Sequence, residues 1–203
     1  MSKADLIQEL YLANLSGPDI AKKLNVNIRW VYRSLERRGI KRRTSAVQNR
    51  IRFEGSPLSY NFKEKLSQSD RELLVAGAML YYGEGAKTGQ TVDFANSDPR
   101  MLKIFIKFLR EICGIDEKKL RFYLYCFSNQ NSGELIRYWS KLLKASTEQF
   151  TKPYIKEANP KQTRVMSYGV LHIRYSDSRL LSRILSINDE ISDRFLKNGG
   201  VVE

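Results

Sequence analysis

Residues 72–85 read ELLVAGAMLYYGEG, and no other stretch constrains the chain as much. Its apolar residues recur at helical spacing, so it reads as a helix. It falls short of a membrane span, and no apolar run in the chain approaches the roughly 18–20 residues a span needs. Ser69-Asp70-Arg71-Glu72 reads as a capping box that opens the helix. Three small residues stand in a row inside it, Ala76, Gly77 and Ala78. Glycine costs a helix roughly 1 kcal/mol against alanine, a cost tolerated where a second backbone must come close. Gly77 and Glu84 are seven apart and so share a helix face. Gly83 and Gly85 bracket Glu84, which ends the helix with a carboxylate near freed backbone carbonyls. A carboxylate beside open carbonyls suits a hard cation.

The first fifty residues are dense in start and stop signals. Leu6, Leu10, Tyr11 and Leu15 fall at helical spacing. Ser16 can cap a second helix, with Pro18 in its first turn and Asp19 at the third position of a capping box. Asn25-Val26-Asn27 interrupts that helix, and Asn27 can cap a third one from Ile28 to Arg38, ended by Gly39. Two short helices joined by a tight turn, with a small Ala21 and apolar Ile20, Leu24, Val26, Val31 and Leu35, are the mark of a helix-turn-helix. Asn27, Ile28, Arg29, Tyr32, Arg33 and Glu36 form the outward face of the third helix. Arg29 and Arg33 are one turn apart, and arginine's usual base target is guanine. Lys41, Arg42 and Arg43 follow, then Arg50 and Arg52, in a stretch that reads as a linker or an extended arm tracking phosphates.

Charge narrows the class of partner. Of the 203 residues, 35 are Lys or Arg and 22 Asp or Glu, a formal net charge of +13, which points to a polyanion, nucleic acid before membrane. The first 60 residues hold 12 basic and 5 acidic side chains, more than twice the charge density of the rest. With 42% hydrophobic and 11% aromatic residues, the chain has enough apolar matter for a packed core, which excludes disorder throughout. Cys113 and Cys126 cannot frame a disulfide scaffold and supply no zinc knuckle. One histidine excludes mechanisms that need two imidazoles. The start, MSKADLIQEL, does not read as a signal peptide, so a cytoplasmic, nucleoid-associated protein is expected.

Beyond the apolar helix, TVDFAN (91–96) alternates as a strand, and Asp98-Pro99 starts a helix that ends at Gly114. LRFYLYCFS (120–128) alternates again, Ser132 caps a further helix, a strand or hairpin spans 163–175, and a last helix starts near Asp177. Alternation puts Arg121, Tyr123 and Tyr125 on one face, with Tyr168, His172 and Arg174 as the matching polar set, and Thr91 and Asp93 extending it. Charge mixed with flat amphipathic rings suits a ribbon laid in a major groove. His172 reads as a groove contact, since no partner carboxylate lies at useful spacing.

Two resemblances sharpen this reading. LSGPDIAKKLNVNIRWVYRSLERRGIKRR is similar to the helix-turn-helix of resolvases and related transcription factors, with Asn25 where that family often has glycine. VAGAMLYYGEG resembles the motif of LAGLIDADG homing endonucleases, whose helix ends in Gly-acid-Gly. The second resemblance covers about residues 70–195, with a single copy of the motif. It implies an αββαββα domain with an antiparallel saddle over DNA, and a homodimer whose motif helices pack across a two-fold axis. It also implies that Glu84 of each subunit, helped by the Gly83 carbonyl, binds a divalent metal, Mg²⁺, for phosphodiester hydrolysis. Ala76, Gly77, Met79, Leu80 and Gly83 would line the dimer contact. The chain departs from the pattern at Met79, which occupies the place of the motif's first glycine, while Gly77 comes two residues early. A basic residue near the scissile phosphate is also implied, with Lys87, Lys152, Lys156 and Lys161 as candidates.

The expected fold is therefore α+β. An all-α helix-turn-helix over 1–43 and a basic linker over 44–68 precede a LAGLIDADG-like domain over 69–203. The expected partners are double-stranded DNA and a second copy, with no membrane. The expected activity is Mg²⁺-dependent site-specific cleavage. The alternatives are a non-cleaving transcriptional regulator and an RNA-binding splicing cofactor. RNA is disfavoured, because its deep major groove does not admit a helix.

Overall fold

The structure is a computed structural model that describes residues 2–158 and 166–198. It is mixed α+β and divides into two compact units, Met1–Pro57 and Leu58–Glu203. Among the described residues no helix is long and apolar enough to cross a membrane.

The first unit is helical: α1 (Lys3–Leu12), α2 (Gly17–Leu24), α3 (Ile28–Glu36) and α4 (Ser45–Glu54). Local chemistry sets its boundaries. Ser16 Oγ accepts from the Asp19 amide and caps α2. Asn25 ends α2 in the left-handed conformation, at φ 50°, which asparagine tolerates. Asn27 Oδ1 accepts from the Arg29 amide at 2.8 Å and caps α3. Ile7, Tyr11, Ile20, Val31 and Leu35 close a small core between α1, α2 and α3. The expected extended arm is instead a helix over most of its basic stretch. Thr44 caps α4, which has no buried residue, and Arg50 pairs with Glu54 one turn on.

The second unit runs α5 (Gln68–Glu84), β1 (Val92–Asn96), α6 (Pro99–Lys107), β2 (Leu120–Phe127), α7 (Ser132–Leu143), β3 (Tyr154–Lys156), β4 (Val170–Tyr175) and α8 (Ser178–Asn198). This order, αβαβαββα, differs from the expected αββαββα. The sheet order is β1-β4-β2-β3. β4 is antiparallel to both β1 and β2, whereas β3 runs parallel to β2, so the sheet is mixed rather than wholly antiparallel. A short parallel edge strand follows because α7 carries the chain back across the sheet before β3 begins. The unit starts before the expected boundary. The Asn61 amide donates to the carbonyls of Cys113 and Gly114, the Lys63 amide to that of Ile112, and Tyr60, Phe62 and Leu66 pack on the core.

Helix starts shift by a residue or two from expectation. Ser67, not Ser69, caps α5, with Asp70 closing the box and paired to Lys63 at 2.8 Å. Asn131, not Ser132, caps α7. The sheet's inner face carries Val92, Phe94, Leu120, Phe122, Leu124, Leu171, Ile173 and Tyr175, all buried against the helices. A π-helical turn, Phe108–Ile112, extends α6 and packs Phe108 on α5. The strand expected over 163–175 starts at Val170, and part of that stretch lies outside the described residues.

Candidate nucleic-acid interface

Two surfaces carry the expected site residues, one in each unit. In the first, α3 buries Val31, Ser34 and Leu35, and nothing else of the helix is fully enclosed. Arg29, Arg33, Glu36 and Arg37 are exposed, and so are the apolar Ile28 and Trp30, each at 39%. An exposed row of guanidiniums flanked by large apolar groups matches what a major groove offers, namely acceptor edges and thymine methyls. Asn27 caps α3 with its carbonyl oxygen, so only its amide hydrogens are left to donate outward.

Three of the expected contacts are used otherwise. Tyr32 is half-buried and its ring lies on Gly17, where any added Cβ would overlap it. Arg42 stacks on the same ring at 4.4 Å. Arg43 is folded back onto α1. Its guanidinium donates to the Tyr11 and Leu15 carbonyls and sits 4.1 Å from the Tyr11 ring centre, while its amide donates to Tyr11 Oη at 2.8 Å. Lys41 is exposed.

In the second unit the sheet's outer face is built in rows. Register sets Asp93, Arg174 and Arg121 side by side, then Ala95, His172 and Tyr123, then Val170, Tyr125 and Tyr154. Asp93 ties the rows together. Its Oδ1 faces His172 Nδ1 at 2.8 Å and its Oδ2 accepts from Arg174 Nε at 2.7 Å. Burial works against the Asp93 charge, but the His172 and Arg174 contacts outweigh it and hold the carboxyl below the usual carboxylate range. Arg174 also lies 4.3 Å from the Tyr123 ring centre, and the Tyr125 ring is 4.5 Å from that of His172. Arg121 donates to the Lys118 and Leu120 carbonyls, both at 2.7 Å. Thr88, Thr91, Arg121, Arg174 and Ser176 rim a polar hollow at one end of this face. Tyr168 stands apart, stacked on Tyr138 of α7 at 4.3 Å.

His172 thus has the partner carboxylate that sequence spacing did not reveal. Asp93 lies 79 positions away and meets it only because β1 pairs with β4. The one available signal was their shared outward parity on alternating strands.

α5 separates its small residues into two groups. Gly77 faces inward, where an added Cβ would overlap Phe108, and Ala78 packs with Ile187 and Ile191. Leu80 packs on the core. Ala76, Met79 and Gly83 face outward together with Val75 and Tyr82, which the sequence reading passed over. Val75 and Met79 are each 36% exposed and Tyr82 51%. A Cβ on Gly83 would meet nothing within 4 Å among the described residues, so no packing among them calls for glycine there. Helical spacing i, i+4, i+7 over Val75, Met79 and Tyr82 was the missed signal.

The outward stripe leads to Glu84, which is exposed at the helix end. Gly85 sits in extended conformation against the Tyr81 ring, and Tyr81 Oη donates to the Ala86 carbonyl at 2.5 Å. Burial of that phenol pushes its pKa up to about 12. Lys87 lies 6.0 Å from the Tyr82 ring centre, near the same helix end. Lys152 and Lys156 are exposed, and Lys161 lies outside the described residues. Among the described residues no three of His, Cys, Asp and Glu gather as a metal cluster. Glu84 is therefore one carboxylate, short of the six oxygens that Mg²⁺ takes. Comparison with protein-family models, with curated proteins and with solved structures finds no match, so the reading of both surfaces rests on their geometry and chemistry.

Proposed function

We propose that the protein is a sequence-specific double-stranded DNA-binding protein that acts as a homodimer. α3 reads a major groove and the outer sheet face of the second unit reads another stretch of the same duplex. The observation that carries this reading is α3, which leaves Arg29 and Arg33 exposed beside Ile28 and Trp30, with Arg37 exposed at its C-cap. Guanidiniums one turn apart on an exposed helix face match the acceptor edges of a major groove, and the apolar groups flanking them match its thymine methyls. The sheet adds Arg121, Tyr123, Tyr125, His172 and Arg174, rigidified by Asp93.

The finer reading is a site-specific endonuclease of the LAGLIDADG type. Its support is the outward Val75, Ala76, Met79, Tyr82 and Gly83 stripe that ends at an exposed Glu84. Two copies joined along that stripe bring two Glu84 carboxylates to one place. There the Gly83 carbonyls, with the scissile phosphates and water, would supply the remaining oxygens for Mg²⁺. A bound divalent cation supplies water activation and stabilises the leaving oxygen. Met79, bulky where the motif has glycine, favours the second reading, a dimeric regulator that binds without cutting.

The test is binding and cleavage on a random-site duplex library. Tight binding should weaken steeply with salt, with a log–log slope of about −0.9 per neutralised phosphate. A flat salt response would remove both readings. Double-strand breaks that need Mg²⁺, stop with EDTA and vanish in Glu84→Gln identify the endonuclease. Binding without breaks under any divalent ion identifies the regulator.

A further inference from the structure

His172 is the only histidine in the chain, and it stands in the middle row of the outer sheet face. Its Nδ1 lies 2.8 Å from Asp93 Oδ1. An ionised carboxylate only accepts, so the proton of this contact must sit on Nδ1. Asp93 is held in its ionised form by the Arg174 guanidinium on its other oxygen, at 2.7 Å. Arg174 in turn is fixed over Tyr123, and Tyr125 packs against the imidazole. The ring therefore has one orientation and one polar atom left over, Nε2. Among the described residues the only buried side-chain nitrogen or oxygen atoms without a partner belong to Asn188. Nε2, which has no partner within those residues, thus meets solvent on the face proposed to meet DNA.

We propose that Asp93 is a positioning residue that locks His172 in the Nδ1–H tautomer, so that Nε2 reads DNA as an acceptor. An acceptor at a fixed point in the major groove pairs with an exocyclic amino group, N6 of adenine or N4 of cytosine. It rejects the keto oxygens of guanine and thymine at that point, where two lone pairs would face each other. The neutral ring thus distinguishes A or C from G or T on the contacted strand. A second proton on the ring turns Nε2 into a donor and reverses the preference. The charged and titratable groups facing the ring are Asp93 of β1, Arg174 of β4, and Tyr123 and Tyr125 of β2. The readout half of this inference rests on the DNA-binding reading; the tautomer half does not.

The two halves are tested separately. With ¹⁵N-labelled histidine the single imidazole gives one pair of nitrogen resonances, which report directly where the proton sits. In the full chain at a pH where the ring is neutral, the expected spectrum has the proton on Nδ1 and a bare Nε2. Asp93→Ala should move it to Nε2, and so should Asp93→Asn, whose one oxygen faces the Arg174 guanidinium and whose amide then donates to Nδ1. A proton on Nε2 in the unaltered protein overturns the lock outright and needs no variant to fold. For the readout, sites are selected from a random duplex library with the ring neutral. One position should prefer A or C over G or T by about tenfold, the factor that corresponds to roughly 1.4 kcal/mol. His172→Ala and Asp93→Ala should both level that preference, and Asp93→Ala, which also frees Arg174, should in addition alter the position that Arg174 reads. A selected site that is the same with and without His172 overturns the readout. Absence of any duplex binding overturns the functional reading and the readout with it, while the nitrogen spectrum still decides the lock.

Discussion

Arg29 and Arg43 are both guanidinium groups in the basic first unit, and their surroundings give them opposite work. Arg29 stands exposed in the first turn of α3. Arg43 is half-buried against Tyr11, with its guanidinium on carbonyls at the end of α1. Removing Arg43 takes a donor from each of those carbonyls, of which Tyr11's keeps the Asn14 amide, and strips a cation from an aromatic face. Arg43→Ala is expected to cost about 1–3 kcal/mol of stability and to leave the salt slope of DNA binding unchanged. Arg29→Ala is expected to change stability by no more than about 0.5 kcal/mol and to relax base preference at one position by about 1–3 kcal/mol. Urea unfolding and a salt titration on the selected duplex, run on both variants, separate the roles. A flattened salt slope in Arg43→Ala would put its guanidinium on DNA after all. This contrast also marks what is legible in a sequence. Ser16, Asn25, Asn27 and Gly39 do their work within a few residues of themselves, and spacing alone located them. Arg43 meets Tyr11, and Asp93 meets His172, across 32 and 79 positions, so no local pattern announces either pair.

At the scale of elements, α5 shows how far helical periodicity carries. Its existence and its end at Gly-Glu-Gly follow from apolar spacing and local chemistry. Which glycine serves which neighbour does not, because that depends on where the α6 extension places Phe108. Gly77 is needed by Phe108 inside one chain, and Gly83 by none of the described residues. The same distinction holds for the segment before α5. Tyr60, Phe62 and Leu66 are apolar residues in a polar stretch, and their docking site is the turn near Ile112–Gly114, formed far along the chain. For α5 the consequence is testable. Met79→Glu places a charge at the centre of the outward stripe without touching the core. Two like charges facing across a two-fold axis, with the loss of apolar cover, should split a dimer into monomers in sedimentation velocity. The unfolding midpoint at low concentration, where the unaltered chain is also monomeric, should not move. Gly77→Ala should do the reverse, lowering stability by about 1–3 kcal/mol through overpacking against Phe108 with no direct effect on association. A chain that sediments as a monomer at every concentration, with and without DNA, would rule out the stripe as a contact between copies.

At the scale of the molecule, the chain carries two separate hydrophobic cores of very unequal size. Five buried residues close the first unit, and 22 form the main cluster of the second. Small domains bury a smaller fraction of their surface, so the first unit is the more marginal of the two. At about 0.05–0.15 kcal/mol per residue its 57 residues are worth roughly 3–9 kcal/mol. Ile20 is fully buried among Ile7, Val31 and Leu35. Truncating such an isoleucine to alanine costs about 2–5 kcal/mol, a large part of that total. The second unit shares none of this cluster, so Ile20→Ala should melt the first unit well before the second. The two tryptophans divide the signals. Trp139 is wholly buried in the second unit, with Nε1 donating to the Tyr168 carbonyl at 2.9 Å, and Trp30 is already partly exposed in the first. Heating Ile20→Ala should therefore remove helical circular dichroism in an early step while Trp139 fluorescence stays that of a buried indole, with a second step at the unaltered temperature. In the interval between the two steps, duplex binding should persist through the sheet face with a shallower salt slope, because the phosphates contacted by α3 and its neighbours are released. A single transition followed identically by both signals would mean that the units unfold as one body.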